Sequence, residues 1–184
     1  RQIQIDALRL RTQAPTPPDK FETGTLNHEG IAGTIAAVDF IAEMGRRHLD
    51  LVAAGLPEGL TGRRREVVAG MLANEAYEQP LARYLVTELD EIDGVTLYGP
   101  PAGHPRTSTV SFTLDGYTAM EVARILGERG LFVWDGHFYA IRLVERLGLI
   151  DSGGLVRVGL CPYTTKEELD RLLEAVHSLA SAVR

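Results

Sequence analysis

The sequence predicts an α/β chain: long helices first, then a small, largely antiparallel sheet carrying two or three helices on one face. Three observations carry this. Residues 28–54 place apolar and small side chains at spacings of three and four. Residues 107–114 set Ser108, Val110, Phe112 and Leu114 against Thr109, Ser111 and Thr113, the period of a strand. Residues 165–183 carry one clean stripe of Leu169, Leu172, Leu173, Val176, Leu179 and Val183.

The elements follow in chain order. Residues 1–20 read as an extended lead-in, with Ile3 and Ile5 alternating and Pro15, Pro17 and Pro18 forbidding helix. Residues 21–27 form a loop. The first helix spans 28–54, with Asn27 as its cap and Glu29 in the first turn, where the dipole favours a carboxylate. Its small residues, Gly30, Ala32, Gly33, Ala36 and Ala37, predict close packing on more than one face. Residues 55–62 (Gly-Leu-Pro-Glu-Gly-Leu-Thr-Gly) are the clearest break. A second helix spans 63–92, with a kink or restart expected at Gln79–Pro80. Strands are then expected at 95–98, 107–114, 131–134 and 155–160, and helices at 117–130, 138–147 and 165–183. Thr165 and Glu168 fit a capping box.

Composition excludes several classes. The 184 residues are 45% hydrophobic and 24% charged, which is a globular balance with enough length for a core. Twenty-five acidic against 19 basic residues leave a charge of −6, unsuited to nonspecific nucleic-acid binding. No apolar run approaches the ~18 residues of a membrane span, and no signal peptide opens the chain. The single Cys161 allows no internal disulfide, so a reducing, cytoplasmic compartment is expected. Only Lys20 and Lys166 among the basic residues are lysines, and residue 1 is Arg, read as the start of a trimmed or partial chain.

Three segments have chemical potential. Glu22-Thr-Gly-Thr-Leu-Asn-His28 precedes a helix N-terminus, where unpaired N–H groups attract anions and the hydroxyls of Thr23 and Thr25 add donors. On composition alone the simpler reading is a turn before a capped helix. Arg157 sits on the face of its strand opposite Val156, Val158 and Leu160, beside Gly159, so it can offer its fork to a carboxylate or simply face solvent. Trp134-Asp-Gly-His-Phe-Tyr139 puts His137 and Tyr139, both capable of acid–base chemistry, just after a strand. The alternative there is a plain turn with Phe138 and Tyr139 packed into the core. Cys161 reads as a small structural residue. Arg63, Arg64 and Arg65 read as a solvated face, and the five histidines show no metal-ligand spacing.

In this order and spacing, the segments resemble the C-terminal part of class V aminotransferase-like enzymes. These are fold-type I proteins dependent on pyridoxal phosphate, and they include the cysteine desulfurases. Phe21-Glu-Thr-Gly-Thr25 resembles the family's F-E-x-G-T loop, and Asn27-His-Glu-Gly-Ile-Ala-Gly33 is similar to the cysteine-desulfurase-like subfamily. Leu97-Tyr-Gly-Pro100, Gly136-His137 and the stretch from Arg157 through Tyr163-Thr-Thr-Lys-Glu-Glu-Leu-Asp170 match later motifs. The resemblance implies that residues 1–57 are the tail of a large cofactor-binding domain and residues 63–184 a small C-terminal domain. It implies that Thr25 donates to the cofactor phosphate, often that of a partner subunit, and that Arg157 binds the carboxylate of an amino-acid substrate. His137 would lie at the mouth of the site.

Two departures accompany it. Tyr139 stands where desulfurases carry their nucleophilic cysteine, and Trp134 where they carry an arginine. The lysine whose amine holds the cofactor would precede Phe21 on the large domain. Lys20 is too close to that loop, and Lys166 reads as a surface residue. The expectation is therefore the C-terminal part of a pyridoxal-phosphate enzyme, inactive alone and covered by a complementary large-domain fragment or a second copy. The alternative is a non-enzymatic interaction or regulatory module that kept the fold.

Overall fold

Alternation in the second half of the chain builds an antiparallel sheet. The computed structural model describes residues 11–22 and 24–182; Ile3 and Ile5, Thr23 and Val183 lie outside them. Strands β1 (Val95–Tyr98), β2 (Thr109–Leu114), β3 (Trp134–Gly136) and β4 (Leu155–Gly159) lie in the order β1-β2-β4-β3, and every neighbouring pair is antiparallel. The helices are α1 (His28–Arg47), α2 (Leu49–Val52), α3 (Gly62–Asp90), α4 (Ala119–Glu128), α5 (Ile141–Arg146) and α6 (Lys166–Ala182). Val110 and Phe112 pair with Val158 and Val156, so all four point to one face. There they meet Leu85 and Leu89 of α3, Val122 and Leu126 of α4, and Leu172 and Val176 of α6. Each such side chain contributes roughly 1.5–3 kcal/mol on burial. One face of the sheet thus carries three helices, as the sequence pattern predicts. The other face presents Ser111, Arg157 and Trp134 in one row.

α3 is the longest element and has two jobs. Its second half covers the sheet, while its first half packs along α1. The two helices approach at Gly45 and Gly70. A methyl group at Gly45 would collide with the Glu66 carbonyl, and one at Gly70 with the Ile41 carbonyl. Arg46 bridges the same crossing by pairing with Glu66 at 2.7 Å, and Arg63 pairs with Asp39. The triple-arginine run is therefore partly engaged by α1. The small residues that suggested close packing, Gly30 to Ala37, are exposed, because the crossing falls farther along the helix. Ile31, Ile35, Val38 and Phe40 are exposed too.

The expected caps form. The Asn27 side chain accepts from the Gly30 N–H at 2.8 Å, and Thr165 and Glu168 close a reciprocal box. α4 has a box of the same kind: the Thr118 N–H and hydroxyl both donate to Glu121 at 2.8 Å, and the Glu121 N–H donates back at 3.3 Å. These bonds, the backbone one foremost, hold the Glu121 carboxyl below the usual glutamate range. A lowered folded pKa stabilises above the unfolded value and loses that contribution as pH falls through the folded one. Thr118→Ala is expected to cost about 1 kcal/mol at neutral pH. The difference should shrink in strong acid, as read by thermal unfolding of both proteins at the two pH values.

Five elements differ from expectation. The first helix ends at Arg47, because His48 leaves helical geometry and α2 turns so that Val52 is buried against α3. α3 runs as one helix through Pro80 with no restart; Ala76 and Pro80 are both exposed, so water can satisfy the carbonyl that proline leaves free. β3 begins at Trp134 rather than Leu131, since the Leu131 N–H is already bonded to the Leu126 carbonyl at the end of α4. α4 itself is shorter than 117–130, bounded by Thr118 and Arg129 as caps. α5 begins at Ile141, because Phe138 and Tyr139 adopt left-handed conformations at φ 50° and 63°. No helix among the described residues is long and apolar enough to cross a membrane.

Candidate functional site

The open face of the sheet holds the candidate site. Arg157 is half-buried on β4, with Ser111 of β2 opposite it on one side and Trp134 of β3 on the other. Beyond β3 the chain turns through Gly136 and His137, and the Phe138 ring comes to rest on the guanidinium, 4.4 Å from Cζ. Among the described residues, no carboxylate pairs with Arg157 and its side chain makes no hydrogen bond. An arginine without an internal anion, on the uncovered face of a sheet, is suited to a carboxylate ligand from outside.

His137 and Tyr139 meet at the next turn. The Tyr139 N–H donates to His137 Nδ1 at 3.1 Å, and the two rings approach edge to face at 6.3 Å. Nδ1 is thus an acceptor, which leaves Nε2 as the protonated nitrogen of neutral imidazole. Tyr139 is 96% exposed. The reading that packs it into the core fails, because its left-handed backbone turns the side chain outward, and Phe138 covers Arg157 instead. The sequence named Trp134 only as a departure from the family and Phe138 only as a core residue, not as neighbours of Arg157. The register of β3 on β4 brings Trp134 beside Arg157, and the left-handed turn after β3 brings Phe138 there.

Thr25 lies apart from this cluster, in the loop before α1. It is exposed, and its hydroxyl makes no hydrogen bond among the described residues. The helix N-terminus two residues on is capped by Asn27. A hydroxyl donor beside the positive end of a helix fits a phosphate.

The two lysines are placed differently. Lys20 lies in a short 3₁₀ turn, its ammonium over the adjacent Phe21 ring at 4.7 Å. Lys166 pairs with Asp170 at 2.8 Å, donates to the Tyr84 hydroxyl at 3.2 Å and lies 4.2 Å above that ring. Asp170 first, and then Tyr84, raise its pKa, so it stays protonated and is a poor nucleophile at neutral pH. Cys161 is half-buried at the end of β4; its N–H donates to the Thr164 hydroxyl at 2.9 Å. No cluster of metal-ligating side chains occurs among the described residues.

A family model described as Aminotransferase class-V matches residues 66–172. A cysteine desulfurase of Pectobacterium carotovorum subsp. carotovorum (strain PC1) is 30% identical over 180 residues, 96% of this chain and 37% of that protein. A probable cysteine desulfurase 2 of Mycobacterium leprae (strain TN) is 32% identical over 174 residues, 95% of this chain and 35% of that protein. The chain therefore spans little more than a third of the length of these relatives. Among solved structures, the apo cysteine desulfurase of Thermococcus onnurineus NA1 is 26% identical with a TM-score of 0.56, over 66% of this chain and 31% of that one. The cysteine desulfurase CsdA of Escherichia coli, at 23% identity, shares the fold with a TM-score of 0.63 over 90% of this chain and 33% of that one.

Proposed function

The chain belongs to the aminotransferase class-V family, and from that premise we propose that it forms the C-terminal part of a pyridoxal-phosphate-dependent enzyme acting on an amino acid. The observation that carries this is Arg157: a half-buried guanidinium on the uncovered face of the sheet, with no internal carboxylate among the described residues. In the proposed enzyme it binds the substrate carboxylate through two parallel N–H···O bonds. Thr25 and the N-terminus of α1 hold the cofactor phosphate, in this subunit or a second copy. When bound, the cofactor supplies an electron sink for cleavage of a bond at the amino acid's α-carbon.

The division at residues 1–57 and 63–184, into a large-domain tail and a small domain, belongs to the same proposal. So does cover for Ile31, Ile35, Val38 and Phe40, exposed on α1, by the large domain or by a second subunit. Elimination and transamination suit the site better than sulfur transfer. Tyr139 occupies the place of the desulfurase nucleophile, and a phenol cannot carry a persulfide. That same departure favours a second reading, a non-enzymatic module that kept the fold; Arg157 argues for the first.

The covalent lysine is proposed to lie outside these 184 residues. Pyridoxal phosphate mixed with the chain and reduced with borohydride should leave no specific, stoichiometric adduct in its intact mass. A stoichiometric adduct on Lys20 or Lys166 would overturn this reading.

A further inference from the structure

We infer that Phe138 is a positioning residue for Arg157: the guanidinium carbon lies over its ring, and this contact sets the direction in which the fork meets a carboxylate. The inference rests on the reading of Arg157 as a carboxylate-binding group. The ring centroid lies 4.4 Å from Arg157 Cζ. Among the described residues no ion pair or side-chain hydrogen bond restrains this guanidinium, so the ring contact decides where it lies. The five donors of arginine point outward in the guanidinium plane. A contact with a π face engages no carboxylate or carbonyl oxygen, so it leaves donors for an incoming carboxylate that an ion pair would consume.

The backbone is arranged for the contact. Phe138 and Tyr139 are consecutive non-glycine residues at φ 50° and 63°, a conformation that L-residues seldom adopt. The Tyr139 N–H braces the turn by donating to His137 Nδ1. A helix starting at Phe138 would lose this geometry; the observed turn instead brings the Phe138 ring back over β4. The residue acts through Arg157 and has no part in bond cleavage. Its chemistry requires a π face, not merely bulk.

The test uses the full-length protein that carries these residues. Phenylglyoxal modifies Arg157, and the rate is read on the peptide containing that residue by mass spectrometry, with increasing L-alanine as the protecting carboxylate. Arg106 serves as an internal reference for folding, because its guanidinium is held by the carbonyls of Pro100 and Thr109. Half-protection of Phe138→Leu should require about fivefold more L-alanine than the parent, while Phe138→Trp, which restores a π face, should match the parent. If the parent is protected and Phe138→Leu is protected at the same concentration, the positioning role is overturned and the Arg157 reading stands. If L-alanine never protects the parent, the Arg157 reading falls and this inference with it. A measurement on the unmutated protein gives an independent check: the Arg157 side-chain protons should resonate upfield of the ordinary arginine range through the ring current. Ordinary shifts would overturn the contact.

Discussion

Gly70→Ala is expected to destabilise the protein by about 3 kcal/mol, the upper range for overpacking a close contact. The added methyl would meet the Ile41 carbonyl of α1, which is backbone and cannot swing aside as a side chain does. Gly45→Ala meets the Glu66 carbonyl and should behave alike. For a chain of this size, the midpoint of thermal unfolding should fall by roughly 6–12 °C. Gly33→Ala supplies the contrast. It lies in the same helix with open space around it, and alanine should stabilise there by up to about 1 kcal/mol. Urea unfolding of the three variants decides the matter: equal effects at Gly33 and Gly70 would show that the crossing is not where α1 is held.

Arg157→Lys is expected to weaken binding of an amino-acid carboxylate by about 10–100-fold, the loss of a charge-assisted, two-point contact. Lysine keeps the charge but not the planar fork. Because Arg157 is on the open face, outside the core, the stability of the variant should change by no more than about 0.5 kcal/mol. Protection titration, or the Michaelis constant for the amino-acid substrate of the full-length protein, reads the first effect; a thermal melt reads the second. Unchanged carboxylate binding in a folded variant would remove Arg157 from the site.

Much of the architecture was legible because its signals are local. The alternation of Val110, Phe112 and Leu114 is the burial pattern of β2, and the stripe from Leu169 to Leu179 is the buried face of α6. The Asn27 cap and the Thr165–Glu168 box need only neighbouring residues, and both form. Arg157 was legible as a candidate since its face follows from strand periodicity. Two errors fall at element ends, where one local geometry displaces another. Leu131 reads as strand but closes α4, and Phe138 reads as helix but adopts a left-handed turn.

By itself, then, the sequence determined the element types, the antiparallel sheet with helices on one face, the two caps and the candidate residues Thr25, His137, Tyr139 and Arg157. The elements and caps depend on periodicity and on hydrogen bonds that span three or four residues; Thr25, His137 and Tyr139 were candidates through their side-chain chemistry and the motif resemblance. The tertiary structure alone decided that Gly45 and Gly70 mark the helix crossing, that Trp134 lies beside Arg157, and that Phe138 lies on its guanidinium. Each of these joins residues about twenty or more positions apart. Such contacts depend on how α1 meets α3 and how β3 registers on β4, which no local pattern specifies.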